Sequence, residues 1–296
     1  MRVFVTGATG FIGSAIVQEL ITAGHRVLGL ARTDAATKSL IAAGAEVHRG
    51  DLDDLESLRS GAARADAIIH TAFNHDFSQY QINCESDRRV IEALGSVLAG
   101  SDRPFIVSAG VGVVTPGRAA TENDAAVPSS ILPRSASEEA AVSLAQRGVH
   151  ASVIRLPQVH NLEKQGLITY LINIAREKRA SAFVGDGANR WPAVHRLDVA
   201  HLYKLVLEKG SAGARYHGIA EEGVPLREIA GVIGGRLHVP VISKSPERAA
   251  DHFGWLGVFA SLDCPASSAL TQQRLGWHPV QPGLIHDLER GSFASG

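Results

Sequence analysis

Near the start of the chain stands the stretch Val5-Thr6-Gly7-Ala8-Thr9-Gly10-Phe11-Ile12-Gly13, in which an apolar run meets three glycines spaced three residues apart. The apolar run Val3–Thr6 predicts a strand, and the helical spacing of apolar residues over Ile12–Ala23 predicts a helix after it. In such a turn the first glycine permits the tight bend, the second lets the backbone approach a ligand, and the third lets the helix pack close to the sheet. The helix N-terminus presents unpaired N–H groups and a partial positive charge to phosphate. This context predicts a site for the pyrophosphate of a dinucleotide.

The same alternation of apolar runs and helical spacing continues to residue 156. It predicts strands at Arg26–Ala31, Glu46–His48, Ala67–His70, Phe105–Ser108 and Ala151–Leu156, separated by helices at Thr37–Ala43, Asp54–Ala63, Gln79–Leu98 and Ala136–Gln146. Strands separated by helices indicate right-handed crossovers and a parallel sheet. Several strands are apolar on consecutive positions, which is typical of a sheet covered on both faces. The predicted fold class is α/β: a Rossmann-type doubly wound parallel sheet with a small C-terminal substrate lobe.

The regular pattern ends at Leu156. Beyond it the sequence predicts only separate elements: a helix at Leu167–Lys178, a helix at Asp198–Leu207, a strand at Ala214–Ile219 and a strand at Val239–Ile242. We therefore predict a dinucleotide-binding domain at residues 1–156, to which residues 192–219 return. Residues 157–191 and 220–296 form the predicted small substrate-binding lobe, which would overhang the cofactor.

Composition narrows the class of protein further. Hydrophobic residues make up 45% of the chain and charged residues 20%, with a formal net charge of −1, which is typical of a soluble globular protein and lacks the basic surplus of a nucleic-acid binder. The apolar runs are too short to span a bilayer, and the chain starts directly with a strand rather than a signal peptide. Cys84 and Cys264 are too few for a disulfide framework, and no spacing indicates a metal site. We expect a cytoplasmic protein that binds a small-molecule substrate, without a nucleic-acid or membrane partner.

The end of the second strand indicates which dinucleotide is bound. Proteins that bind NAD usually place a carboxylate there for the ribose 2′-hydroxyl. Here the strand ends in Arg32-Thr33, and the nearest carboxylate is that of Asp34. The planar, permanently charged fork of Arg32 suits a 2′-phosphate, and Thr33 and Lys38 are further candidates for its contacts. This pattern favours NADP(H) as the cofactor, although an arginine that is merely solvated at a strand end is the alternative.

Residues 5–13 closely resemble the signature of the extended, NAD-dependent epimerase/dehydratase-like branch of the short-chain dehydrogenase/reductase superfamily. The resemblance continues through Gly50-Asp51-Leu52, His70-Thr71-Ala72, Phe105-Ile106-Val107-Ser108, Arg155-Leu156-Pro157, Trp191-Pro192-Ala193-Val194-His195-Arg196-Leu197-Asp198-Val199-Ala200 and Arg274-Leu275-Gly276-Trp277. It implies that Asp51, with Leu52 beside it, contacts the adenine, and that Thr71 and Ala72 lie along the cofactor. It further implies that Pro157 borders the nicotinamide and that the protein is a homodimer through its fourth and fifth helices.

One segment departs from that family. Its reductases and epimerases use a Tyr and a Lys four residues later on the helix after the fifth strand, where the Lys lowers the pKa of the Tyr. The best register places Arg134 at the Tyr position and Glu138 at the Lys position, and no tyrosine occurs between Tyr80 and Tyr170. The sequence therefore resembles atypical members of the superfamily, which keep the cofactor site without this pair.

Other residues are candidates for the chemistry. Ser108 falls where the family keeps a substrate-polarising hydroxyl, and His75, in the loop after the fourth strand, has an intrinsic pKa suited to acid–base work. The alternatives are a hydroxyl bonded to backbone and a solvated imidazole. Candidates for contact with the substrate, or for a proton or water relay near it, are Asn74, Tyr80, Asn83, Asp87, Arg134, His160 and Trp191. Arg134 either binds an anionic group of the substrate or pairs with Glu138 one helical turn away.

The remaining alternatives concern the lobe and the activity. Trp191 either lines the substrate site or belongs to the core, and Phe253–Leu262, with Trp255 and Phe259, predicts an apolar lid. The favoured function is an NADP(H)-dependent reductase of a carbonyl or related substrate, of the atypical short-chain type. The alternatives are a non-catalytic NADP(H)-binding redox sensor and, less favoured because those reactions rely on the same Tyr, a sugar-nucleotide epimerase or dehydratase.

Overall fold

A computed structural model describes residues 1–111, 115 and 117–293. Its main sheet has seven parallel strands: β1 (Arg2–Thr6), β2 (Arg26–Ala31), β3 (Glu46–Arg49), β4 (Ala67–His70), β5 (Phe105–Gly110), β6 (Ala151–Leu156) and β10 (Arg215–His217). They lie in the order β10-β6-β5-β4-β1-β2-β3. The chain changes direction across the sheet between β1 and β4, and in doubly wound folds this switch point is where ligands bind, outside the carboxyl ends of the strands. The predicted fold class is confirmed.

Helices cover both faces of this sheet. They are α1 (Phe11–Thr22), α2 (Asp34–Ala42), α3 (Leu55–Ala63), α4 (Tyr80–Ser96), α5 (Ala136–Gln146) and α7 (Arg196–Lys209). One hydrophobic cluster joins α1 and α7 to one face, and a second joins α3, α4 and α5 to the other. Both faces of β4, in the middle of the sheet, are buried, and three of its four residues are apolar. No helix within the described ranges is long and apolar enough to cross a bilayer.

A second body of structure follows β6. Its strands are β7 (Gln158–His160), β8 (Ser181–Val184), β9 (Arg190–His195), β11 (Glu221–Pro225) and β12 (Val241–Lys244), and its helices are α6 (Ile168–Lys178), α8 (Leu226–Leu237), α9 (Ala249–Phe253), α10 (Gly257–Ala260) and α12 (Leu284–Arg290). The helix between the last two, α11 (Ala269–Leu275), packs on α7 and β10 of the first domain instead. The strands form a three-stranded sheet in the order β11-β9-β7 and a parallel pair, β12-β8. A separate hydrophobic core, from Ile168 to Leu288, holds most of these elements together.

The structure corrects two sequence-based expectations about this second body. Residues 157–193 contain strands β7, β8 and most of β9, where the sequence indicated a loop, a helix and a glycine-rich segment. Leu275 and Trp277, assigned to the lobe, are buried in the core of the main sheet, where the Trp277 indole N–H donates to the carbonyl of Asp198 at 3.0 Å. The C-terminal segment therefore crosses back to the first domain before it ends in α12.

Candidate active site

The glycine turn between β1 and α1 is shaped to admit a ligand. Gly7 has a φ of +68°, and a Cβ there would lie 2.7 Å from the backbone N of Ala72 and 2.8 Å from Oγ1 of Thr71. A Cβ on Gly13 would lie 2.0 Å from the carbonyl oxygen of Gly7, whereas one on Gly10 would meet only that oxygen, at 3.1 Å. The first and third glycines are thus required by packing, and the second keeps one side of the turn open. The residues present fit the pyrophosphate of a dinucleotide.

The start of α1 supports this fit. No side chain caps the helix at Gly10, so its first N–H groups remain available to an anion. Thr9 is exposed beside the turn, and Ile12 packs partly against the core. The ring of Phe11 lies 5.2 Å from the guanidinium of Arg196. The predicted pyrophosphate-binding residues therefore form one continuous surface at the carboxyl end of β1.

The fourth strand completes the wall of this site. Thr71, just after β4, donates from Oγ1 to the carbonyl of Thr6 at 2.8 Å, and Ala72 follows it against Gly7. Both residues lie at the switch point of the sheet, between β1 and β4. This is the position at which a doubly wound sheet binds a cofactor. Pro157, half-buried, follows β6 two strands away in the same sheet.

At the end of β2 the structure presents a positive charge. The Arg32 side chain is 76% exposed, and its Nε lies 3.6 Å from Oδ2 of Asp51. Thr33 caps α2 through Oγ1, which accepts from the N–H of Ala36. Ala31 is paired with Arg49 in the neighbouring strand, and Arg49 holds Asp34 through an ion pair of 3.1 Å. Asp34, the carboxylate nearest to Arg32 in sequence, is therefore paired with Arg49. Leu52, the residue after Asp51, packs partly against the hydrophobic cluster on that face of the sheet.

A chain of buried polar groups runs from β1 to the helix after β5. His70 bridges Oγ1 of Thr6, at 2.7 Å, and Oδ1 of Asp87 on α4, at 2.9 Å. Oδ2 of Asp87 accepts from Arg134 at 3.1 Å and also from the hydroxyl of Ser137. Burial by itself would raise the pKa of Asp87, but the charges of His70 and Arg134 and the hydrogen bonds outweigh it and lower that pKa. Asp87 is therefore an anion that fixes the side chains around it.

The Arg134 guanidinium lies at the carboxyl ends of β4 and β5. Its Nη1 donates to Asp87 and Ser137, its Nη2 donates to the carbonyl of Ser108 at 3.2 Å, and its carbon lies 4.2 Å from the ring centroid of Phe73. Nε and the second N–H of Nη2 have no partner among the described residues. These two donors, which we call the fork of Arg134, match an oxygen atom or an anionic group.

The expected pairing of Arg134 with Glu138 is wrong. Glu138, 3% exposed, instead accepts two hydrogen bonds from Arg155, at 2.6 and 2.7 Å, and one from Arg215 at 2.6 Å. Burial would raise the pKa of Glu138, but the two arginines outweigh it and lower the pKa. The position where the family places a lysine thus carries a buried carboxylate that holds β6 and β10 to α5.

Ser108 lies at the carboxyl end of β5 with its side chain turned inward. Its Oγ lies 2.6 Å from the carbonyl oxygen of His70, to which it donates, and 2.6 Å from the hydroxyl of Tyr203. Burial raises the pKa of Tyr203, so its hydroxyl keeps its proton and can donate to Ser108. The proton of Ser108 is therefore already used within the protein. Tyr203, on α7, was not singled out from the sequence because the contact joins residues 95 positions apart.

The loop after β4 brings other predicted residues to the surface. His75 is exposed and meets the ring of Phe73 edge-on at 5.1 Å, and partial burial followed by the charge of Arg134 lowers its pKa. Asn74 donates to Asn83 on α4 at 3.3 Å, which fixes the loop to the helix. Burial raises the pKa of Tyr80 to about 12, so its phenol stays protonated at neutral pH. His75 and Arg134 thus both contact the ring of Phe73.

His160 and Trp191 do not reach an accessible surface. His160 is fully buried and its Nδ1 lies 2.7 Å from Oδ2 of Asp287. Trp191 is 2% exposed in the core of the second body, and its indole N–H donates to the carbonyl of Phe259 at 3.2 Å. These placements do not fit contact with a substrate, and they correct the expectation from the sequence. Trp255, from the predicted lid, is 43% exposed and stacks on Phe77.

Comparisons with known proteins agree with this architecture. The model of the NAD dependent epimerase/dehydratase family matches residues 3–219. The chain is 50% identical over 295 residues to the Schizosaccharomyces pombe protein C2A9.02, covering 99% of this chain and 100% of that one. It is 45% identical over 291 residues to the Saccharomyces cerevisiae protein YLL056C, covering 97% and 98%. Proteins named as dehydrogenases and reductases match 80–83% of the chain at 25–26% identity.

Solved structures share the fold. The dTDP-glucose 4,6-dehydratase DesIV of Streptomyces venezuelae, whose crystal structure has NAD and TYD bound, superposes with a TM-score of 0.77 at 22% identity and covers 98% of this chain and 95% of its own. At this identity the likeness shows the fold alone. The family match over residues 3–219 carries more, because it spans the glycine turn and every strand of the main sheet. The chain belongs to the NAD dependent epimerase/dehydratase family, in the extended branch of the short-chain dehydrogenase/reductase superfamily.

Proposed function

We propose that this protein is an NADP(H)-dependent reductase of carbonyl compounds, of the atypical short-chain type that works without the Tyr–Lys pair. Arg32 carries the cofactor part of this proposal. Among the described residues the Arg32 guanidinium makes only a long ion pair, from Nε to Oδ2 of Asp51 at 3.6 Å, and it is exposed at the end of β2, where proteins that prefer NAD place a carboxylate. A 2′-phosphate would satisfy this fork with two charge-assisted hydrogen bonds. Arg49 supports the preference, because it neutralises Asp34 at the start of α2.

The catalytic part rests on the fork of Arg134. When bound, the reduced nicotinamide supplies a hydride to the carbonyl carbon of the substrate. Nε and Nη2 of Arg134 donate to the carbonyl oxygen and stabilise the negative charge that grows on it. Asp87 and the carbonyl of Ser108 hold the guanidinium in place, so little reorganisation accompanies the reaction. An arginine does not release its proton, so water supplies the proton to the product oxygen.

An equilibrium titration of the two reduced cofactors tests the proposed function. Arg32→Ala is expected to weaken NADPH binding about 10- to 100-fold, the loss typical of hydrogen bonds to a charged group, and to leave NADH binding nearly unchanged. Arg26→Ala is the matched control, because Arg26 is 73% exposed at the opposite end of the same strand. Equal losses for NADPH and NADH in Arg32→Ala would remove the basis for NADP(H) preference.

A non-catalytic NADP(H)-binding sensor is a second candidate. It is favoured by the α5 region, where Arg134 and Glu138 stand in the places of the family's Tyr and Lys and each is engaged with the protein. The discriminating measurement is oxidation of NADPH against a panel of aldehydes and ketones. Tight NADPH binding without oxidation by any of them supports the sensor, whereas oxidation that depends on Arg134 supports the reductase.

A further inference from the structure

Aromatic side chains are concentrated at one place in this molecule. The chain has nine Phe, four Tyr and three Trp. Six of them form what we call the aromatic cluster: Phe73, Phe77, Tyr80, Tyr170, Trp255 and Phe259. Three come from the loop after β4 and the start of α4, and three from the second body of structure. Groups of apolar side chains that include exposed members mark ligand grooves or interaction sites.

The cluster is continuous with the fork of Arg134. The Arg134 guanidinium lies over Phe73, and His75 bridges Phe73 and Phe77 with centroid distances of 5.1 and 6.2 Å. Phe77 in turn stacks on Trp255 at 4.3 Å with an interplanar angle of 13°. A molecule lying along this path would meet a hydrogen-bond donor fork at one end and aromatic faces along the rest of its length.

Part of the cluster faces solvent. Trp255 is 43% exposed and Tyr170 is 36% exposed, and the two rings meet edge-to-face at 5.3 Å. Tyr80 meets Phe259 at 6.3 Å on the other side of the same group. Edge-to-face and offset-stacked pairs are the arrangements that aromatic rings prefer, and a planar ligand can extend the same pattern.

We infer that the carbonyl substrate carries a planar aromatic ring, which packs on the aromatic cluster while its carbonyl oxygen accepts from Arg134. This inference rests on the proposed function, since it names the substrate class of the same site. The aromatic faces of the cluster select the ring, and Arg134, which lies over Phe73, selects the oxygen. A saturated ring of the same size loses the stacking contacts and keeps only the burial of apolar area.

Binding of two matched aldehydes tests this without relying on turnover. The protein is saturated with NADP⁺, with which neither aldehyde reacts by reduction, and is titrated with benzaldehyde or cyclohexanecarbaldehyde. Benzaldehyde is expected to bind about fivefold more tightly, which corresponds to about 1 kcal/mol. Phe73→Leu and Phe77→Leu are each expected to abolish most of this difference, while Phe77→Tyr, which keeps the ring, retains it. Val258→Ala, at a position 79% exposed on α10, is the control and is expected to change nothing.

Two outcomes overturn the inference: equal affinities for the two aldehydes, or a benzaldehyde preference that survives both leucine substitutions. Circular dichroism of each variant confirms that it is folded. NADPH titration of the same samples tests the proposed function separately. If the protein binds NADPH but shows no preference for benzaldehyde, only the proposed substrate class is overturned. If the protein binds NADPH no more tightly than NADH, the proposed function is overturned, whatever the two aldehyde affinities are.

Discussion

Asp87 holds the guanidinium of Arg134 across 47 residues of sequence, with Oδ2 of the carboxylate 3.1 Å from Nη1. Asp87 is 4% exposed and is bonded on its other oxygen to His70, so the ion pair is part of a fixed polar chain. A buried pair with satisfied hydrogen bonds orients its members more than it stabilises the fold. This relationship leaves one edge of Arg134 for a ligand.

Removal of Arg134 is expected to affect turnover and not cofactor binding. Arg134→Ala deletes the donors to the carbonyl oxygen, and we expect kcat to fall about 100-fold, as when an oxyanion donor is lost. Arg134→Lys keeps the charge and the partner for Asp87 but loses the fork, so kcat should fall about 10-fold. Steady-state kinetics and NADPH titration check both. Arg88→Ala, which breaks a partly exposed pair with Glu139, is the control, and a normal kcat in Arg134→Lys would contradict the role of the fork.

Ser108→Ala separates a structural from a catalytic hydroxyl. Because Oγ of Ser108 is bonded to the carbonyl of His70 and to Tyr203, its loss leaves the buried phenol of Tyr203 without its partner. We expect the free energy of unfolding to fall by about 1–3 kcal/mol while kcat changes by less than about twofold. Urea denaturation and the NADPH oxidation assay give the two values. A large loss of kcat with unchanged stability would return the polarising role to Ser108.

The buried carboxylate of Glu138 is expected to matter for stability. Glu138→Gln leaves Arg155, which is fully buried, without its charged partner, and this should cost about 3–5 kcal/mol of unfolding free energy. Glu139→Gln, at the next position, removes a partly exposed pair and should cost less than about 1 kcal/mol. Chemical denaturation measures both. Equal losses would show that the Arg155–Glu138–Arg215 group does not hold the edge of the sheet.

His160 predicts a pH dependence of stability. Burial lowers the pKa of His160 in spite of the opposing hydrogen bond that its ring donates to Asp287, so between that lowered pKa and about 6.5 the unfolded chain binds more protons than the folded one. Stability should therefore fall as the pH drops from about 7.5 to about 5.5. The fall should be smaller in His160→Gln, and His278→Gln, at an exposed position, should match the unaltered protein. Thermal denaturation at pH 7.5 and pH 5.5 measures the loss of stability in each protein. If His160→Gln loses as much stability as the unaltered protein, His160 is not the source of the pH dependence.

Local patterns determine how much of the fold is readable from the sequence. The strands and helices up to Leu156 were predicted within a few residues, because each has a clear apolar period and the glycine turn fixes the first crossover. Strands β7, β8, β9 and β11 were missed, since they are short and their pairing depends on segments far apart in sequence. Trp277 lies in the first domain, where its buried indole N–H donates to the carbonyl of Asp198. No local sequence pattern indicates this contact.

Some residues of the candidate site could likewise be placed from the sequence, and others could not. The glycine turn, Arg32 and Thr71 lie at strand ends that the sequence marks, so their placement followed from the fold. Arg134 was placed in the right region, but its partner was wrong, because helical spacing suggested Glu138 and the tertiary structure supplied Asp87. The contact of Phe77 with Trp255 joins segments of different domains and has no signal in a single sequence.

Transfer of a labelled hydride tests the reductase proposal most directly. The protein is incubated with benzaldehyde and NADPH that carries deuterium at the transferable position of the nicotinamide, and the alcohol is analysed by mass spectrometry. We predict one deuterium in the alcohol, formed faster with NADPH than with NADH, and largely lost in Arg134→Ala. Bound NADPH that transfers no deuterium to benzaldehyde or to any other carbonyl compound in the panel would contradict the reductase and leave cofactor binding as the function.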